Sequence, residues 1–245
     1  MKKTFVFCCG VLIPLLGLAQ GTVNFLNNST TLTRTNAAGI GLTTGNTAPS
    51  FPAPGGFYYA LLTAPSTVTS VSPSAQELLT SVWTFTGLYG TNTAATTGGR
   101  FSGGGNVATL TGWQPGVTNS FVIVGWSADL GHDWSVISAQ LQGAGFSDGE
   151  WFGNFVKTGG YLGVSRVGFG AAGGGASGLP AFSLFGSTPT AQGTPIMQGF
   201  DLYPIFVPEP SVAILTGLAA VLVYRFGFAH KRVVAKRSDR SLGGR

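Results

Sequence analysis

Between residues 21 and 206 the chain alternates short bursts of aromatic and β-branched residues with runs of Gly, Thr, Ser, Asn and Pro. No burst is long enough for a sizeable helix, and most are bounded by residues that turn the chain. Seven bursts read as strands: 22–26 (TVNFL), 57–63 (FYYALLT), 81–86 (SVWTFT), 106–111 (NVATLT), 120–126 (SFVIVGW), 162–169 (LGVSRVGF) and 200–206 (FDLYPIF). Val, Ile, Phe, Tyr, Trp and Thr fit a pleated surface, and alternation such as Thr22-Val23-Asn24-Phe25 suits half-buried antiparallel strands. One helix is expected, over 134–142 (WSVISAQLQ), because Trp134, Ile137 and Leu141 recur at three and four residues and Asp133 stands in the capping position. Segments 33–56 and 171–180 read as loops, 188–198 as a linker and 98–105 (GGRFSGGG) as a turn. There is no internal repeat. The fold class expected is all-β, an antiparallel sandwich or jelly-roll-like body.

The ends of the chain have a different character. Residues 1–20, MKKTFVFCCGVLIPLLGLAQ, have the three parts of a secretory signal: Lys2 and Lys3, an apolar stretch from Phe5 to Leu16, and small residues at Gly17 and Ala19. That apolar stretch is too short to span a bilayer core of roughly 30 Å. Both cysteines, Cys8 and Cys9, lie within it, so the chain expected after cleavage holds no disulfide and must be stabilised by its core.

The formal charge of +5 also belongs to the ends. From 21 to 207 only Arg34, Arg100, Lys157 and Arg166 stand against Glu77, Asp129, Asp133, Asp148, Glu150 and Asp201. A slightly acidic body with no basic stripe excludes nucleic acid as a partner.

Residues 207–237 read VPEPSVAILTGLAAVLVYRFGFAHKRVVAKR. The apolar segment 211–229 would be about 28 Å long as a helix, close to the thickness of a membrane core. Arg225 lies near enough to its end to snorkel, and Lys231 and Arg232 beyond it favour a cytoplasmic C-terminus, with 238–245 as a basic tail. Pro208 and Pro210 stiffen the strip before the segment and leave Glu209 as its one charged side chain.

This arrangement resembles the C-terminal sorting signal of PEP-CTERM proteins, with Pro208, Glu209 and Pro210 as the sorting motif. The body segments GTVNF, FYYALL, TGLYGTN, GGRFSGGG, GWQPG and GWSADLGHDW resemble largely uncharacterised bodies of the same family. The resemblance implies an exported protein of a Gram-negative bacterium. It would be held in the membrane, cut near the motif by exosortase, and passed to the envelope or to an extracellular matrix containing exopolysaccharide. The family's tails usually end soon after a compact arginine cluster, whereas here the cluster is diluted and the chain runs on to Arg245.

Within the body the richest polar cluster is Asp129, His132 and Asp133, followed by Asp148 and Glu150. Asp129 and Asp133 are weak candidates for a calcium site, against the plainer reading of a turn followed by a helix cap. One His and no Cys make a poor zinc site. A pair among Asp129, Asp133, Asp148 and Glu150 with Trp126, Trp134 and Trp151 as sugar platforms would describe a carbohydrate-active or carbohydrate-binding module. No nucleophile elbow or P-loop is present, and no catalytic residue or cofactor is assigned. The expectation is a non-enzymatic structural or adhesive body, with the carbohydrate module as the alternative.

Overall fold

In a computed structural model of the chain, residues 20–38, 45–47, 56–72, 74–93 and 98–206 are described. The signal segment, the Pro-Glu-Pro strip with Pro208, Glu209 and Pro210, the span 211–229 and the basic residues Arg225, Lys231 and Arg232 lie outside them.

Two near-continuous apolar runs set the architecture. β4 (Phe57–Pro65) and β7 (Thr118–Ser127) pair antiparallel from Phe57↔Ser127 to Pro65↔Asn119. Almost every residue of both is buried. Strands covered on both faces need no polar alternation, which is why FYYALL and FVIVG carry none. Outward from β4 come β5 (Thr84–Asn92), β6 (Phe101–Leu110), β1 (Gly21–Leu26) and the short parallel β12 (Phe182–Ser183). On its other side β7 divides its edge between β11 (Gly168–Ala171) and β10 (Tyr161–Val164). β10 continues to β14 (Asp201–Phe206), β2 (Arg34–Thr35) and β3 (Gly45–Asn46).

Three smaller strands complete the set. β8 (Gly145–Ser147) and β9 (Glu150–Phe152) form a hairpin beside β14, and β13 (Gly193–Thr194) pairs with β11. The sheet curls until Gly173, just past β11, bridges Thr22 of β1.

The body is therefore all-β with one large mixed sheet and a single α-helix, α1 (Trp134–Leu141), among the described residues. The main pairs are antiparallel as expected, while β1–β12, β14–β2 and β14–β9 are parallel.

Several local expectations are corrected. The segment 98–105 is a turn only at its start; β6 begins at Phe101 and bulges outward after Gly103, since Val23 faces Ala108 while Phe25 faces Gly103. Gly104 and Gly105, with φ of 70° and 72°, supply the left-handed backbone this bulge requires. The expected strand 81–86 starts at Thr84 and runs on to Asn92. The expected strand 162–169 is two strands. At the break the Ser165 N–H donates to Ile123 O (2.9 Å) and the Ile123 N–H donates to Ser165 Oγ (2.9 Å), so β7 loses no partner there. Within 33–56 and 188–198, read as loop and linker, β2, β3 and β13 form, and Ile196 is buried in the core.

Inside the curl, Val23, Phe25, Tyr59, Leu61, Phe101, Phe121, Ile123 and Leu202 form the core. Tyr59 stacks on Phe101 with centroids 4.0 Å apart, and Phe25 meets Phe101 edge-on at 5.5 Å. On the opposite face of β4 and β7, Tyr58 pairs with Trp126 and Ala60 with Val124. Gln140 of α1 joins that layer together: its Nε2 donates to Leu130 O (2.8 Å) and its Oε1 accepts from the Val156 N–H (3.1 Å).

A buried polar nest closes one end of the core. The Tyr59 hydroxyl donates to Thr47 Oγ1 (3.1 Å), and Asn92 Nδ2 donates to the same oxygen (3.2 Å). Burial pushes the Tyr59 phenol well above its usual range, against the smaller opposing effect of its hydrogen bond to Thr47 and of the neighbouring Thr33 and Asn92 side chains. Above about pH 10 the unfolded chain releases this proton while the folded one keeps it, so stability falls as pH rises, by about 1.4 kcal/mol per pH unit. Urea midpoints at pH 9 and pH 11 should show this drop in the wild type and a shallower one in Tyr59→Phe. An equal slope in both would remove Tyr59 as the cause.

Candidate functional site

Two places on the body gather chemistry-bearing side chains. The first grows from the end of β7. Ser127 leads into a 3-10 turn, Ala128–Leu130, and Gly131 reverses the chain into His132, Asp133 and α1. His132 lies edge-on to Tyr58 (4.6 Å between centroids) and tilted against Tyr89 (5.1 Å). The Tyr89 hydroxyl accepts from the Trp134 N–H (2.6 Å), taking one of the donors that every helix start leaves open. Asp133 occupies the N-cap position as expected, but its side chain makes no capping bond. Its Oδ1 turns to His132 Nδ1 at 2.9 Å, with both side chains more than half exposed. The helix start is thus served by a tyrosine from β5 in place of the aspartate beside it.

The other expected site residues lie on two stretches, the turn before α1 and the β8–β9 hairpin. Asp129 sits in the 3-10 turn with Oδ1 buried and unbonded. Asp148 is at the tip of the β8–β9 hairpin, accepting from Ser147 Oγ (2.9 Å), and Glu150 opens β9. Among the described residues no three His, Cys, Asp or Glu side chains come together.

The tryptophans are corrected as sugar platforms. Trp126 and Trp151 are 0% and 1% exposed, with Nε1 donated to Gly131 O (2.8 Å) and Leu162 O (2.7 Å). Both are core residues with satisfied N–H groups. Trp134 is half-buried against Phe85 and Trp126.

The second place went unnoticed in the sequence. Two adjoining hollows of about 670 and 510 Å³ share Val164, Arg166 and Tyr203, and so form one open groove over β10 and β14. Phe146 of β8 walls one end, meeting Tyr203 at 5.0 Å between centroids. Arg34, Asp201 and Gln198 line the other end. Asp201 Oδ2 accepts from Asn36 Nδ2 (2.9 Å), whereas neither Arg34 nor Arg166 has an ion pair or side-chain hydrogen bond among the described residues. Burial, reinforced by Asp201, pushes the Tyr203 phenol up, so it stays neutral at ordinary pH. The groove draws on residues 34, 146, 166, 198 and 203, too scattered for any spacing rule to find. Sequence offers no signal for it, since Arg100, outside the groove, has no acidic neighbour in the chain any more than Arg34 or Arg166 has.

No protein family model, curated protein or solved structure matches this chain.

Proposed function

We propose that this chain is an exported protein, sorted by its C-terminal Pro-Glu-Pro signal and processed by exosortase. Its β body would then be delivered to the cell envelope or extracellular matrix as a non-enzymatic, structural or adhesive component. The observation that carries the reading is Pro208-Glu209-Pro210, standing between the last strand of the body and an apolar segment with a basic end, in a chain that opens with a secretory signal. Two prolines around a single carboxylate would offer a membrane enzyme a restricted backbone and a charge to recognise. A sandwich-like, curled body without disulfides suits such a role, since its strands are held by a continuous apolar core.

The non-enzymatic part of the reading rests on the sequence, in which no nucleophile elbow, P-loop or spaced catalytic pair stands out. The test follows the mature C-terminus by intact mass in an exosortase-bearing host. Wild type should lose the segment beyond the strip, whereas Glu209→Ala and wild type in an exosortase deletion should both keep it. A full-length tail in all three would reduce the segment to an ordinary anchor and overturn the sorting role.

A further inference from the structure

The groove over β10 and β14 has features that the sorted-protein reading does not use. It holds two of the body's four cations, Arg34 and Arg166, in a body whose charge is otherwise slightly acidic. Both are exposed and without anionic partners among the described residues, although the guanidinium fork is shaped to hold a carboxylate. Asp201 is the opposing charge in the groove, and one of its oxygens is already occupied by Asn36. Tyr203, a half-buried ring, lines both hollows with Arg166 and meets Phe146 in one of them. The rim is hydroxyl-bearing, with Ser70, Ser72 and Thr30.

We propose that this groove binds an acidic saccharide, a chain of uronate-type sugars whose carboxylates meet Arg34 and Arg166 while the C–H faces of its rings rest on Tyr203 and Phe146. Two cations in one open groove match a polymer that repeats its charge. The hydroxyl rim matches one that repeats its hydroxyls. A peptide fits less well, because β10 is paired on both sides by β7 and β14, and β14 by β10 and β2, so no strand edge is free there for backbone pairing. The inference names the chemistry of a matrix partner, and rests on the sorting reading only for how the protein reaches that partner.

The test is calorimetric titration of the full-length chain in detergent with a hexauronate, a neutral hexaglucan and a poly-glutamate peptide. The hexauronate should bind and the hexaglucan should not, with affinity falling severalfold as salt rises from about 50 to about 300 mM. Arg34→Gln and Arg166→Gln should each weaken binding about tenfold. Arg100→Gln and Lys157→Gln, at cations outside the groove, should leave it unchanged. All four sites are on the surface or partly exposed, so unchanged melting temperatures will certify the folds. Equal binding of the neutral sugar, poly-glutamate binding as tightly, equal loss in the control variants, or no uronate binding would each overturn the proposal. Because binding is read on the unprocessed chain and sorting by intact mass, failure of one is separate from failure of the other.

Discussion

Gly163→Ala should destabilise the body by about 3 kcal/mol or more, at the upper end of what forced overpacking costs. Gly163 is not in the left-handed region, so alanine would suit its backbone. The cost is steric. A Cβ at this position runs into Asp201 O and approaches Asp201 C and Leu202 Cα at 3.0 Å each. These are backbone atoms of β14 with no rotamer to yield.

β14 pairs with β10 at Tyr161↔Pro204 and Leu162↔Tyr203, then crosses the face of Gly163 and drops Leu202 into the core. Gly125, the register partner of Gly163 on β7, is less tightly confined: its Cβ would meet only side-chain atoms, Leu202 Cδ2 and the Tyr59 ring, at 3.0 Å. Two facing glycines create the notch through which the last strand passes. Gly159→Ala is the matched control. It has φ of 84° and nothing within 4 Å, so it should lose only the 1–2 kcal/mol, roughly, of left-handed strain. Urea unfolding of both variants decides the point, and equal losses would show that the crossing is looser than described.

Asn27→Ala should cost a comparable amount, about 3 kcal/mol, for a different reason. Asn27 is fully buried and uses its amide completely. Nδ2 donates to Thr31 O and Gly99 O, both at 2.8 Å, and Oδ1 accepts from the Phe101 N–H at 2.8 Å. One side chain therefore ties the turn after β1 to the loop entering β6. Alanine would leave Thr31 O and the Phe101 N–H buried without partners, at about 1–3 kcal/mol each before relaxation, while Gly99 O keeps the Thr33 N–H (3.0 Å). Asn27→Asp should be at least as damaging, because a carboxylate has no hydrogens to offer those carbonyls. Thermal melts of the two variants at neutral pH provide the measurement. A loss in Asn27→Asp much smaller than in Asn27→Ala would mean that the carbonyls find water instead.

The hairpin β8–β9 shows how legible such a sequence is. Asp148-Gly149 is a strong two-residue turn signal, and the structure places both residues at positive φ, 54° and 82°, between the paired Ser147 and Glu150. Asp148, a possible acid by sequence, is thus a turn residue. The helix at 134, by contrast, was readable to within a residue, because its apolar spacing is local.

The all-β class, the two central strands and the single helix follow from the sequence alone, because β-propensity, apolar spacing and Gly/Pro punctuation act over a few residues. The resemblance of the tail to a sorting signal likewise rests on residues adjacent in the chain. Tertiary structure decided that the sheet is mixed, that Trp126 and Trp151 are core, that Tyr89 rather than Asp133 serves the helix start, and that Arg34 and Arg166 share a groove with Tyr203. Each of these depends on which strand lies beside which. In this body that is fixed by long-range register and by glycine-sized gaps, which no local pattern encodes.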